Sequence, residues 1–167
     1  MIVVTGAAGF IGSCLVSKLN TLQKTNLILV DDFSCDEKNK NLYNKSFHCR
    51  IHRDNFLAWF QQNSEKINEV YHLGARTDTT EINYSVFQKL NLEYSIAIWK
   101  ICTQYSIPLI YASSAATYGL GEYNFDDNPD LIKKLRPLNA YGKSKNDFDR
   151  WVINQNNYPP FWAGFKF

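Results

Sequence analysis

Short apolar runs alternate along the chain with longer stretches whose apolar positions fall at helical spacing. Residues 2–5 are mostly β-branched and run straight into Gly6, the profile of a short buried strand. In 10–22 the apolar positions 11, 15, 16 and 19 share one face of a helix. Residues 27–30 predict a second strand, ending at Asp31 and Asp32. The polar stretch 34–44 reads as a loop with a helical turn. The pattern continues with a strand over 47–51, a helix over 55–63, a strand over 70–73, a long helix over 81–105 and a strand over 107–112. Residues 120–138 carry acids, asparagines and two prolines and read as loop. A helix over 141–156 and a sixth strand over 161–167 close the series.

Alternation of this kind predicts right-handed βαβ units. The expected fold class is α/β, a Rossmann-type doubly wound parallel sheet with strand order 3-2-1-4-5-6. All 167 residues fit one dinucleotide-binding domain. The last predicted strand has no polar cap after it, so the expectation is a domain incomplete at its C-terminus.

Composition narrows the function. Eighteen Lys and Arg against sixteen Asp and Glu leave a net charge of +2, and the basic residues are scattered, so no nucleic-acid partner is expected. No apolar run approaches bilayer length, and the N-terminus lacks the charged region and cleavage site of a leader, so no membrane partner is expected. Cys14, Cys35, Cys49 and Cys102 are widely separated and form no metal or redox pair, which fits a reducing cytoplasm. Asp126, Asp127 and Asp130 lie in a loop without metal-ligand spacing, and no metal is expected.

Gly6, Gly9 and Gly12 stand between the first strand and the first helix. Gly6 permits a tight turn, Gly9 lets backbone approach a pyrophosphate, and Gly12 lets helix and strand pack closely. The helix that follows presents free N–H groups and the positive end of its dipole to an anion. Asp31, some twenty residues on, is placed to bind ribose hydroxyls, which by itself points to NAD. Lys38 and Arg53 stand within reach of a 2′-phosphate, as in NADP, and serve equally well as surface charge.

Tyr141 and Lys145 lie one helical turn apart. A nearby ammonium favours the phenolate, and a tyrosine so placed acts as acid and base on a carbinol oxygen. Ser114 follows the fifth strand, at the carboxyl end of the sheet where ligands bind. It is the candidate to hydrogen-bond the same oxygen, or else a residue that satisfies loop backbone. His72 ends a strand and reads as structural. Trp59, Trp99 and Trp151 sit at helical positions and read as packing.

With Gly6-x-x-Gly9-x-x-Gly12, Ser114 and Tyr141-x-x-x-Lys145 in order, the chain resembles the extended short-chain dehydrogenase/reductase family, in its epimerase/dehydratase branch. Three stretches look most like the heptose 6-epimerases of that branch: Thr79-Thr80-Glu81, Tyr111 through Gly119, and Pro137 through Lys145. The resemblance implies an ADP-heptose substrate, oxidised and re-reduced at C6 with bound NADP, in the synthesis of lipopolysaccharide inner core. It implies a homo-oligomer. Tyr141 would be one acid/base, with Lys145 tuning it and holding the nicotinamide ribose, and Ser114 assisting. Cofactor contacts would fall at Phe10 and Ile11, Asp31 and Asp32, Lys38, Arg53, and Leu73, Gly74, Ala75, Arg76 and Thr77. Asn91 matches the family's helix asparagine.

Arg76, Thr77 and Asp78 depart from the Cys and Ser common in the family at that loop. The family's second acid/base lysine and most of its substrate lobe lie beyond the sixth strand, and both are expected to be missing here. A 4,6-dehydratase would carry Asp-Glu where Ala115 and Ala116 stand. A UDP-hexose 4-epimerase and a non-catalytic dinucleotide-binding module remain as alternatives.

Overall fold

The computed structural model describes residues 1–167. Six parallel strands form one sheet: β1 (Ile2–Thr5), β2 (Leu27–Asp31), β3 (Cys49–His52), β4 (Glu69–His72), β5 (Leu109–Ser113) and β6 (Trp162–Lys166). Their order is β3-β2-β1-β4-β5-β6, the doubly wound arrangement that the strand–helix alternation predicts. The fold class expected from the sequence is therefore the one observed. The register aligns Thr5 with Val30 on one side and with His72 on the other, so β1, β2 and β4 end at one level.

Successive strand residues serve opposite faces. Val3, Ile28, Val30, Val70 and Leu109 pack with Phe56 and Phe60 of α2 (Arg53–Asn63), Ile98 and Trp99 of α3 (Tyr94–Gln104), and Phe148 and Val152 of α4 (Ala140–Val152). Ile2, Val4, Leu27 and Leu29 face the other way, onto Val16 and Leu19 of α1 (Phe10–Thr21). Trp99 is fully buried, as a packing residue should be, and meets Phe148, Trp151 and Trp162 edge-on.

Three segments differ from the expectation. The long helix starts at Tyr84 rather than 81, because Asp78, Glu81 and Asn83 turn their side chains onto the backbone N–H groups of Thr80, Asn83 and Ser85. Its second stretch, Gln88–Glu93, is π-helical before α3 begins. The segment read as loop over 120–138 holds a short exposed strand, Glu122–Phe125, reached through left-handed residues at Gly119 and Gly121. No helix is long and apolar enough to cross a membrane.

Candidate active site

The glycine turn stands where β1 becomes α1. Gly6 has φ +66°, and a Cβ there would lie 2.7 Å from Gly74 Cα, so the turn and the β4 loop can meet only without side chains. At Gly12 a Cβ would lie 2.1 Å from the Gly6 carbonyl oxygen. Gly12 thus packs α1 onto the turn itself as much as onto the strand. Gly9 is the N-cap of α1, with no side-chain cap and no acid in the first turn. The first turn of α1 therefore keeps free N–H groups, with its positive end unneutralised.

A cavity of about 390 Å³ opens at this helix end, within the size range of small-molecule sites. Gly6, Gly9, Phe10, Ile11 and Gly12 line it from the cradle, and Leu73, Gly74, Ala75 and Thr77 from the loop after β4. Asp31, Lys38 and Arg53 line its far end. Thr5, Val30, Asp54, Leu90 and Tyr94 complete the wall and were not singled out from sequence. Thr5 directly precedes Gly6, and that adjacency is the one local signal for it. Leu90 and Tyr94 reach the wall from the long helix, whose π-helical turn resets which side chains face inward.

Charge at the far end is arranged around two carboxylates. Asp31 is buried, accepts hydrogen bonds from the N–H groups of Ala8 (2.8 Å) and Asp32 (2.8 Å), and pairs with Lys38. Asp32 lies outside the cavity lining and pairs with Arg53 at 3.0 Å. Hydrogen bonds from the Ser34 hydroxyl and N–H, aided by Arg53, hold its pKa down at about 2. The Arg53 Nε is buried without a hydrogen-bond partner.

The proposed acid/base set lies beyond this lining, at the end of β5 and on α4. Ser114 is buried and accepts from the Ala116 N–H at 3.2 Å, so it caps the turn Ala115–Tyr118 and keeps its own proton to donate. Asn139 caps α4 by accepting from the Gly142 N–H at 2.8 Å. A Cβ on Gly142 would lie 2.7 Å from the Ala116 carbonyl oxygen, which shows how closely the first turn of α4 packs on the Ser114 turn. Tyr141, half-buried, is the second residue of that helix. Lys145, one turn on, is buried, and desolvation pushes its pKa down to about 8 against the opposing pull of Asp149. Asp149 is buried too and accepts from the hydroxyls of Tyr111 (3.1 Å) and Ser113.

Arg76 and Asn91 do not face the cavity. The Arg76 guanidinium pairs with Asp78 at 2.9 Å in solvent. Asn91 is buried in the π-helical turn, where its amide clasps both the N–H (2.7 Å) and the C=O (3.0 Å) of Arg76 and donates to Ser144 (2.9 Å).

Residues 2–158 match the family model described as the NAD dependent epimerase/dehydratase family. The chain belongs to that family. Among family members, it is 42% identical over 171 aligned residues to an ADP-L-glycero-D-manno-heptose-6-epimerase of Fusobacterium nucleatum, covering all of this chain and 52% of that protein. A protein of the same name from Nitratidesulfovibrio vulgaris is 40% identical over 157 residues, covering 93% and 49%. The crystal structure of the Helicobacter pylori ADP-L-glycero-D-manno-heptose-6-epimerase superposes with a TM-score of 0.73 at 26% identity, over 99% of this chain and 54% of that one. A UDP-glucuronic acid 4-epimerase from Bacillus cereus, in complex with NAD, shares the fold at a TM-score of 0.74 and 24% identity, over 99% and 55%. The chain thus spans about half the length of the family members it matches.

Proposed function

We propose that the chain is the dinucleotide-binding part of an epimerase that inverts C6 of an ADP-linked glycero-manno-heptose, with NADP as cofactor, on the route to lipopolysaccharide inner core. The observation that carries this reading is the uncapped, acid-free start of α1 at a cavity of dinucleotide-binding topology, in a chain that also carries Ser114, Tyr141 and Lys145 in order. The two 40–42% identical relatives named for that sugar support the substrate.

The residues fit a dinucleotide. The free N–H groups of the first turn of α1 would receive the pyrophosphate, and Gly9, which lines the cavity without a side chain, lets it approach the backbone. Asp31 would receive the adenosine ribose. Lys38 and Arg53, whose Nε makes no hydrogen bond and stands 3.6 Å from Asp54 Oδ1, favour a 2′-phosphate, hence NADP over NAD. When bound, the nicotinamide supplies a reversible hydride acceptor at the carbinol carbon.

The proton side of the reaction falls to this chain. Tyr141 takes the carbinol proton and later returns it. Lys145, largely protonated at neutral pH, stabilises the phenolate that Tyr141 becomes on giving its proton up. Ser114 donates its free proton to the substrate oxygen and steadies the charge there. Inversion needs proton handling on both faces of the carbon, and Tyr141 serves one of them.

Titration with NADP+ and NAD+, followed by incubation with the ADP-heptose, tests the reading. NADP+ should bind more tightly than NAD+. Lys38→Ala and Arg53→Ala should each weaken NADP+ by about tenfold, roughly the worth of one charge-assisted contact, and leave NAD+ within about twofold. Equal losses for both cofactors, or tighter NAD+, would refute the NADP assignment. No binding of either would refute the whole reading.

A further inference from the structure

His72 is buried at the end of β4 and has a partner on each ring nitrogen. Thr5 Oγ1 lies 2.7 Å from Nδ1, and Ser95 Oγ lies 2.9 Å from Nε2. The direction of every bond can be settled by counting protons. Ser95 hydrogen-bonds the Asn91 carbonyl, which can only accept, so the Ser95 proton is committed there. Ser95 must then accept from His72, which places the ring proton on Nε2. Nδ1 is left bare in the neutral ring and accepts from the Thr5 hydroxyl, which itself accepts from the Gly74 N–H at 3.0 Å. Burial, with the Lys145 charge adding to it, holds the ring neutral, its pKa down at about 3. The other ring packed near it is Tyr94, 6.0 Å away.

The donors therefore run one way, from Gly74 through Thr5, His72 and Ser95 to the Asn91 carbonyl. The Asn91 side chain carries the run on: it donates to Ser144 (2.9 Å), and Ser144 donates to the Tyr141 carbonyl (2.7 Å). Gly74 lines the cavity, and Tyr141 lies in the first turn of α4.

We propose that His72 is a positioning residue that, in its Nε2–H form, ties the cradle wall at Thr5 and Gly74 to the π-helical turn at Asn91 and thereby fixes the first turn of α4, with Tyr141, relative to the cradle. The tie is geometric and exists without any ligand; its value for catalysis rests on the function proposed above. An aliphatic residue would fill the space and sever the run. A histidine of the other tautomer would turn a bare Nε2 to Ser95 and leave that nitrogen and the Asn91 carbonyl competing for the single Ser95 proton.

The test uses the 167-residue chain, labelled with 15N. Long-range proton–nitrogen spectra should show His72 protonated on Nε2 alone, without titration between pH 5 and pH 8. Hydrogen exchange should then be compared for Ser95→Ala, His72→Phe and His72→Gln. Ser95→Ala removes the link without the ring, so it reports even where His72→Phe does not fold. It should speed exchange of the Ser144 and Lys145 amides at least tenfold, with the amides of α1 unchanged. His72→Gln, which can still accept and donate, should recover part of the protection. An Nδ1–H ring, a midpoint above pH 5, or unchanged exchange in α4 overturns the proposal. A wild-type chain that shows this tautomer and exchange pattern but does not bind NADP+ would fault the cofactor reading and not the tie.

Discussion

Lys145 carries a cost that its position makes measurable. Its pKa falls from the ordinary 10.5 to about 8 because burial disfavours the ammonium. Between those values the unfolded chain binds more protons than the folded one, so this residue makes stability rise with pH from 8 to 10.5. Below pH 8 the full penalty stands, about 3 kcal/mol from the shift alone and less once Asp149 loses its neighbouring charge. Lys145→Met should therefore raise the unfolding free energy at pH 7 by about 1–3 kcal/mol, with the gain vanishing toward pH 10.5. Urea unfolding of both proteins at three pH values checks the sign. Wild-type stability at or above that of the variant at pH 7 would show that Asp149 more than offsets the burial. A lysine kept charged at such a cost agrees with the role proposed for it beside Tyr141.

At the scale of elements, the contact that matters most is the seat of α4 on the turn after β5. Gly142 sits in the first turn of α4, where alanine would ordinarily gain about 0.5–1 kcal/mol of helix stability. Here the added Cβ meets the Ala116 carbonyl oxygen at 2.7 Å and, being fixed by the backbone, cannot rotate away. Gly142→Ala should cost about 1–3 kcal/mol and move Tyr141 off the Ser114 turn. Its denaturation midpoint should fall while the slope with denaturant stays at the wild-type value. A neutral or stabilising result would mean that α4 shifts freely, and would undercut the close seating.

What could be read from sequence at this scale follows the range of the interactions. β1, α1 and β2 with the cradle between them were legible because the strand signal, the glycines and the helix period are contiguous in the chain. Asp31 was legible because its distance from the cradle is fixed by one helix and one strand. The helix start at Tyr84 was missed because three side-chain turns at 78–83 outcompete a favourable periodicity. The π-helical turn was missed because its cause is distant: Asn91 is drawn inward by Arg76, fifteen residues away, and Ser144, fifty-three away. His72 read as structural and is buried with both nitrogens partnered, but the partners themselves were not legible, since they lie 67 and 23 residues off.

The whole molecule shows an imbalance between the two faces of its sheet. Parallel sheets are normally covered on both sides. One face here carries α2, α3 and α4, whereas α1 covers the other only over β1 and β2. On that second face Tyr71, Ile110 and Ala112 are half-buried, and Phe165, paired in register with Ala112, is 51% exposed. Beside it β6 offers a free edge, with Phe161 and Phe167 exposed at its two ends. An apolar strip next to an unpaired strand drives association. The chain should therefore sediment as concentration-dependent oligomers at tens of micromolar. Phe165→Glu should shift it toward monomer, because a carboxylate placed on that strip must be desolvated in any face-to-face contact. Since Phe165 is far from α1 and β2, NADP+ affinity should stay within about twofold of wild type, and a larger loss would show that the bare strip and the cradle are coupled. A wild-type chain that stays monomeric at those concentrations would refute the association outright, because Lys166 is turned inward onto the Tyr118 ring and Asp127 and cannot guard the edge by its charge.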